Sequence, residues 1–239
     1  MKIGAIIFSR MSSSRLPGKA MLDISGKSLL LRVIERTKCL TKVDHICVAT
    51  SNRKDDDVIE ELSRSNDIDV FRGDLEDVSN RAYNAALKFK YDSFLRVCAD
   101  RPFLDSNLYD KLIKKHISGK NDLTTNIFPR VVPPGLTGEV IKTSALKFFL
   151  DNSSDLKDRE HLTRYFYHNA NKFKIQNIDE LNNLELNHLR LVVDDEVDLL
   201  RARWIVSNLD EKKCQFETNK IISLAKIWEQ KNYLIKRNK

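Results

Sequence analysis

An alternation in the first half of this chain constrains its fold more than any other feature. The short apolar runs KIGAIIF, HICVATS, DVFRG and DSFLRVCAD read as buried strands. Each is followed by a longer amphipathic stretch: SLLLRVIERTKCL, KDDDVIEELSRS, EDVSNRAYNAALKFK and SNLYDKLIKKHI. In the first of these, Leu29, Leu30, Val33 and Ile34 share one helical face. The second opens on acids, which suit the positive end of a helix dipole. Asp105 or Ser106 is placed to cap the fourth. This βαβαβαβα order predicts an α/β fold with a mostly parallel sheet and helices on both faces.

Ligands in such folds bind beyond the carboxyl ends of the strands. Four loops leave those ends: SRMSSSRLPGK, ATSNRKDD, FRGDLED and CADRPFLD. All carry charged or hydroxyl side chains. From about residue 121 to 177 the rhythm breaks. IFPRVVPPGLTGEVI concentrates proline and reads as an excursion or lid rather than another βα unit. HLRLVVDDEVDLLRARWIVSNL restores a strand and a helix, and TNKIISLAKIWEQ adds a last helix. No repeat or low-complexity linker interrupts the 239 residues. One domain with an insertion at about 121–177 is expected.

A formal net charge of +7 points to anionic partners, although part of it sits in the tail KIWEQKNYLIKRNK. Nucleic acid is not expected, because the basic loop is short and lacks interleaved aromatics. No apolar run approaches the length of about 18 residues needed to span a membrane. The first apolar run is too short for a secretory signal. Cys39, Cys47, Cys98 and Cys214 show no CxxC spacing. Their usage fits reduced thiols in a cytoplasm.

The loop after the first strand is neither GxxxxGK[ST] nor GxGxxG. Arg10, Arg15 and Lys19 nonetheless supply cations, and its serines and backbone supply donors, a combination suited to a polyphosphate. Asp100 ends a strand, where a carboxylate suits Mg²⁺. Asp194, Asp195 and Asp198 follow another apolar run. Read alone, each is first a helix cap, although a second carboxylate from a separate strand end is also what a shared Mg²⁺ site needs. DREHLTRYFYHN would present one polar and one aromatic face as a helix, its aromatics forming core. TSNRKDDD reads as an exposed helix entry.

In order, SRMSSSRLPGKAMLDISGKSLL, VATS, FRGDLEDVSNR, RVCADRPFLD and VVDDEVDLL resemble the cytidylyltransferases of sugar activation. The likeness is closest to the spore coat polysaccharide biosynthesis protein F branch, where a segment like REHLTRY also recurs. Synthetases of CMP-sialic acid and of CMP-3-deoxy-manno-octulosonate are relatives. The likeness runs from about residue 2 to 203. It implies a Rossmann-like, GT-A-like nucleotidyltransferase fold, a three-layer sandwich that moves CMP from CTP to an acidic sugar with Mg²⁺.

On that resemblance Arg10, Ser13, Arg15 and Lys19 hold the triphosphate. Ala49, Thr50, Ser51, Arg72 and Gly73 frame cytosine and ribose, with Arg81 nearby. Asp100 and Asp194 bind metal, while Glu139, Glu160 and His161 face the acceptor. By the same analogy the Pro-rich and aromatic segments form the arm of a homodimer. Ser9 and Ser12 stand where that branch usually has alanine and glycine, and Thr137-Gly138 replaces a more usual aspartate-containing pair. Two alternatives stay open: a transferase using another nucleotide or a non-sugar acceptor, and a non-catalytic nucleotide binder. The joint presence of Lys19, Asp100 and Asp194 favours catalysis.

Overall fold

A computed structural model of the chain describes residues 1–179, 189–209 and 218–237. The four expected strands form as β1 (Ile3–Phe8), β4 (His45–Ser51), β5 (Asp69–Gly73) and β6 (Ser93–Cys98), lying side by side in the order β5-β4-β1-β6 and all parallel. The chain steps outward from β1 through β4 to β5, then returns to the other side of β1 with β6. That reversal makes the carboxyl ends of β1 and β6 the switch point, where such sheets open a crevice. Ile6 and Ile7 of β1 are fully buried, as a strand covered on both faces must be.

The connecting helices match the amphipathic stretches: α1 (Leu29–Thr37), α2 (Asp57–Arg64), α3 (Val78–Lys88) and α4 (Ser106–Gly119). All four apolar residues read on one face of α1 are fully buried. Ser28, Asp77 and Asp105 cap α1, α3 and α4, so Asp105 rather than Ser106 starts the fourth helix. A two-strand ribbon of β2 (Asp23–Ile24) and β3 (Lys27–Ser28) precedes α1. Ser25 and Gly26 both take positive φ at its turn, which matches ribbon twist.

The 121–177 segment departs from the expected excursion. Its strands β7 (Leu123–Thr125), β8 (Glu139–Lys142) and β9 (Ile175–Asn177) extend the same sheet in the order β6-β8-β7-β9. β8 runs antiparallel to β6 and β7. α5 (Thr143–Asn152) leads to two short helices, α6 (Leu156–Glu160) and α7 (Arg164–His168). DREHLTRYFYHN is therefore not one helix. The expected aromatic core does form: Phe149 stacks on Tyr165 with ring centroids 4.8 Å apart, and Phe166 lies 4.5 Å from Phe173.

LRLVV is a further departure. Leu189, Leu191 and Val193 are buried, yet the segment joins no described strand. Its amides bond to loop carbonyls instead, Leu191 to Pro134 at 2.8 Å and Val193 to Asp100 at 2.9 Å. α8 (Glu196–Ser207) follows, and α9 (Thr218–Arg237) packs against it. Among the described residues no helix is long and apolar enough to cross a membrane. Cys47 and Cys98 are free thiols, and Cys214 lies outside the described residues.

Candidate active site

A cleft of about 390 Å³ opens at the switch point. Phe8 of β1 pairs with Cys98 of β6, so the loops leaving the two strands start side by side. The first loop is closed by its own backbone: the Gly18 amide donates to the Met11 carbonyl at 3.0 Å. Gly18 sits at φ +71°, a conformation that favours glycine. Leu16 is buried and anchors the loop from beneath. Ser12, Ser13, Ser14, Arg15 and Lys19 line the cleft along this wall.

Lys19 reaches across the cleft. Its Nζ donates to Asp100 Oδ2 at 3.2 Å, Asp194 Oδ1 at 3.0 Å and the Val193 carbonyl at 2.9 Å. An ammonium has three donors, and here all three are used. The amide of Val193, bonded to the Asp100 carbonyl, is what brings Asp194 beside Asp100. The three aspartates near α8 now separate by role. Asp195 caps the helix by accepting from the Asp198 amide at 2.9 Å. Asp198 is buried, pairs with Arg190 and Arg201, and accepts from the Asp194 amide at 3.1 Å. Asp194 alone of the three lines the cleft. Burial would push its carboxyl up, but Lys19, Arg15 and Arg190 hold it below the usual carboxylate range.

Asp100 and Asp194 form a hard-oxygen pair open to the cleft. Among the described residues no cluster of three or more His, Cys, Asp or Glu could hold a metal. Two carboxylates completed by phosphate oxygens and water suit Mg²⁺, so the donor set fits that ion.

The other wall carries Arg81, Val78, Glu160 and His161. Arg81 is buried, and its Nη1 donates to the Asp74 carbonyl at 2.7 Å. Burial, then nearby Arg10, lowers its pKa to about 10. Its Nε has no hydrogen-bond partner, and neither has Ser9 Oγ, which lines the same cleft. Both atoms are enclosed, so they are unsatisfied groups beside the cleft rather than on its open surface. Arg10 Nη2 lies 3.6 Å from Glu160 Oε1 across the opening. The Ser79 hydroxyl donates to the Asp158 carbonyl at 3.1 Å, fixing α6 on α3.

Several expected site residues lie elsewhere. Ala49, Thr50 and Ser51 are fully buried and do not line the cleft. Both hydroxyls donate to Asp56 Oδ2, Thr50 at 2.9 Å and Ser51 at 2.5 Å. Arg72 is engaged by Asp57, Glu60 and the carbonyls of Ser51 and Arg53. Gly73 does not line the cleft, but a Cβ there would come within 2.9 Å of Arg81 Cγ, so it gives Arg81 room. Glu139 is buried and forms an ion pair with Arg96.

Two residues were missed by sequence reasoning. Asp56 is 2% exposed rather than part of an exposed helix entry. Its Oδ1 accepts from the Met11 amide at 2.8 Å, tying the β1 loop to the end of β4. The second is Arg96, which lines the cleft from inside β6. A charge within the apolar run SFLRVC was its signal, because a buried charge must be paired or functional.

Residues 4–239 match the family model described as cytidylyltransferase. An uncharacterized protein of Methanocaldococcus jannaschii is 34% identical over 81% of this chain and 79% of its own length. The spore coat polysaccharide biosynthesis protein SpsF of Bacillus subtilis is 28% identical over 87% of each chain. Among solved structures, a cytidylyltransferase from Leptospira borgpetersenii superposes with a TM-score of 0.88 at 27% identity, covering 98% of this chain and 97% of its own.

Proposed function

The chain belongs to the cytidylyltransferase family and is a CTP-dependent nucleotidyltransferase; from that premise we propose that it transfers CMP to the anomeric hydroxyl of an acidic sugar for surface polysaccharide assembly. The observation that carries this reading is the convergence of Lys19, Asp100 and Asp194 at the switch point. The similarity to a 3-deoxy-manno-octulosonate cytidylyltransferase of Geobacter sulfurreducens, 31% identical over 66% of this chain and 68% of its own, supports the acceptor class, and that to SpsF supports the polysaccharide context.

In this reaction the acceptor oxygen forms a bond to the α-phosphorus of CTP as the bond to the bridging oxygen breaks. The hydroxyl proton is lost and pyrophosphate departs in line. The difficulty is charge, since an anion must approach a polyanion. Arg10, Arg15 and Lys19 lie where the leaving phosphates would be neutralised, and Ser13 adds a hydroxyl. Asp100 and Asp194 would hold Mg²⁺, which supplies charge neutralisation and orientation at the phosphates. Lys19 neutralises the aspartate pair in the free protein and would turn toward the phosphates when that pair takes up the ion. Arg81 and Ser9 line the same cleft, in which the nucleoside would sit.

A pyrophosphate-release screen tests the reading, crossing the four ribonucleoside triphosphates with octulosonic, nonulosonic and neutral sugars. Release is expected with CTP and at least one acidic sugar. Release only with neutral sugars, or with none, would remove the acceptor assignment.

A further inference from the structure

Beside the nucleotide cleft lies a second chamber of about 400 Å³, lined by Arg96, His161, Thr163, Arg164, Tyr167 and His168. Arg96 and His161 line both cavities, so the two meet at these residues. No carboxylate lines the chamber, and of its two arginines Arg164 is already paired with Asp158 and Asp155, which leaves Arg96 as the guanidinium to meet a ligand there. Such a lining suits an anion.

Arg96 lies in the centre of the sheet, where an unpaired charge is costly. Its partner is Glu139 of β8, whose backbone sits directly across from it. Glu139 is 1% exposed and lines neither cavity. Arg96 Nη1 donates to one of its oxygens, and the Tyr167 hydroxyl donates to the other at 2.6 Å. Burial would push the Glu139 carboxyl up, but Arg96 and the Tyr167 hydroxyl hold it below its ordinary value. Glu139 is thus an ionised anchor, and the Arg96 side chain remains a quarter exposed.

We propose that Arg96 receives the carboxylate of the acceptor at the seam between the two cavities, and that Glu139, held by Tyr167, is the positioning residue that aims it. The proposal rests on the acidic-acceptor reading above. The chemistry of 2-keto sugar acids explains why the seam is the right place. Their carboxylate is bonded to the same carbon that bears the anomeric hydroxyl. A guanidinium gripping that carboxylate therefore fixes the attacking oxygen two bonds away, facing the nucleotide. The sugar ring and its tail would then extend into the second chamber. A planar guanidinium can meet a carboxylate through two parallel hydrogen bonds, a geometry lysine cannot reproduce.

The test uses the full chain, CTP with Mg²⁺, and each acidic sugar paired with its methyl ester. Wild type is expected to accept the acid and reject the ester. Arg96→Met should raise the acceptor KM by about 100-fold, the order expected for a lost charged hydrogen-bond pair, while the CTP KM stays within about twofold. Glu139→Gln should raise the acceptor KM by about tenfold and leave kcat at saturating acceptor near wild type. Loss of the buried pair lowers the melting temperature in either case, but a merely structural role for Glu139 would move both KM values together. Arg96→Lys should recover less than half of the lost binding. If an acidic sugar supports release but Arg96→Met leaves its KM unchanged, or if the ester serves as well as the acid, the Arg96 assignment is overturned and the acidic-acceptor reading stands. If no acidic sugar supports release, both fall together.

Discussion

Two regions at the carboxyl edge of the same sheet carry similar residues and do different things. At the ends of β1 and β6, Lys19, Arg15, Asp100 and Asp194 face an open cleft. At the ends of β4 and β5, Thr50 and Ser51 are turned inward and Arg72 is tied down nearer the surface. Asp56 takes both hydroxyls, and Asp57, Glu60 and two backbone carbonyls take the guanidinium. Residue type does not separate the regions. What separates them is whether the paired groups line the cleft, as Lys19, Arg15, Asp100 and Asp194 do and Thr50, Ser51 and Arg72 do not. The first region holds a carboxylate pair bridged by the Lys19 ammonium, with Arg15 and Arg190 also on Asp194, beside the unpartnered Ser9 Oγ and Arg81 Nε. The second is a closed brace, and Asp56 extends it to the loop that carries the open site.

The largest effect expected from this contrast is on catalysis. Lys19→Ala should lower kcat with CTP by roughly 10²–10³, the usual loss for one such electrostatic contact, with little change in melting temperature. A variant with wild-type turnover would erase the distinction between the regions.

The brace should show itself in stability. Asp56→Ala leaves the Met11 and Ser51 amides and two hydroxyls without their acceptor, which should cost about 2–4 kcal/mol in denaturant unfolding. Turnover should fall as well, because the β1 loop loses its tether.

The same carboxylate has a pH signature. Burial opposes its ionisation, but hydrogen bonds from Ser51, Met11 and Thr50 win and lower its pKa below 3.8. Its contribution is therefore full at pH values above that of an unfolded aspartate and is lost as pH falls below 3.8. Asp56→Asn should flatten the acid limb of the stability profile, measured by thermal melting between pH 6 and pH 2. An unchanged limb would show that Asp56 is not the brace.

The smallest effect is expected at Arg72. Its pairs are partly exposed, so Arg72→Ala should cost about 1 kcal/mol or less and shift the CTP KM by less than about threefold. A tenfold rise in KM would place the nucleotide against β5 and redraw the site.

Much of this was legible in the sequence because apolar periodicity is a local property. β1, β4, β5 and β6 fell where their apolar runs stand, and so did the helices between them. The β1 loop and Asp100 could be singled out for the same reason, since strand ends are readable. LRLVV misled because its composition is that of a strand, while its amides are claimed by the Pro134 and Asp100 carbonyls. Thr50 and Ser51 looked available because nothing in TSNRKDDD announces that Asp56 folds back beneath them. Glu139 looked like a binding residue because its partner Arg96 is 43 positions away. For LRLVV and Glu139 the deciding fact is a hydrogen bond between residues far apart in the chain, whereas for Thr50 and Ser51 it is a local one, to a residue five or six positions on, whose direction spacing alone does not encode.

Magnesium-dependent pyrophosphate release from CTP, followed in wild type and Asp100→Ala across a Mg²⁺ titration, tests the central assignment most directly. Release should rise with Mg²⁺ in the wild type, vanish when the ion is chelated, and fall to background at every Mg²⁺ concentration in Asp100→Ala. Undiminished release by Asp100→Ala would contradict the account and take the aspartate pair out of the reaction.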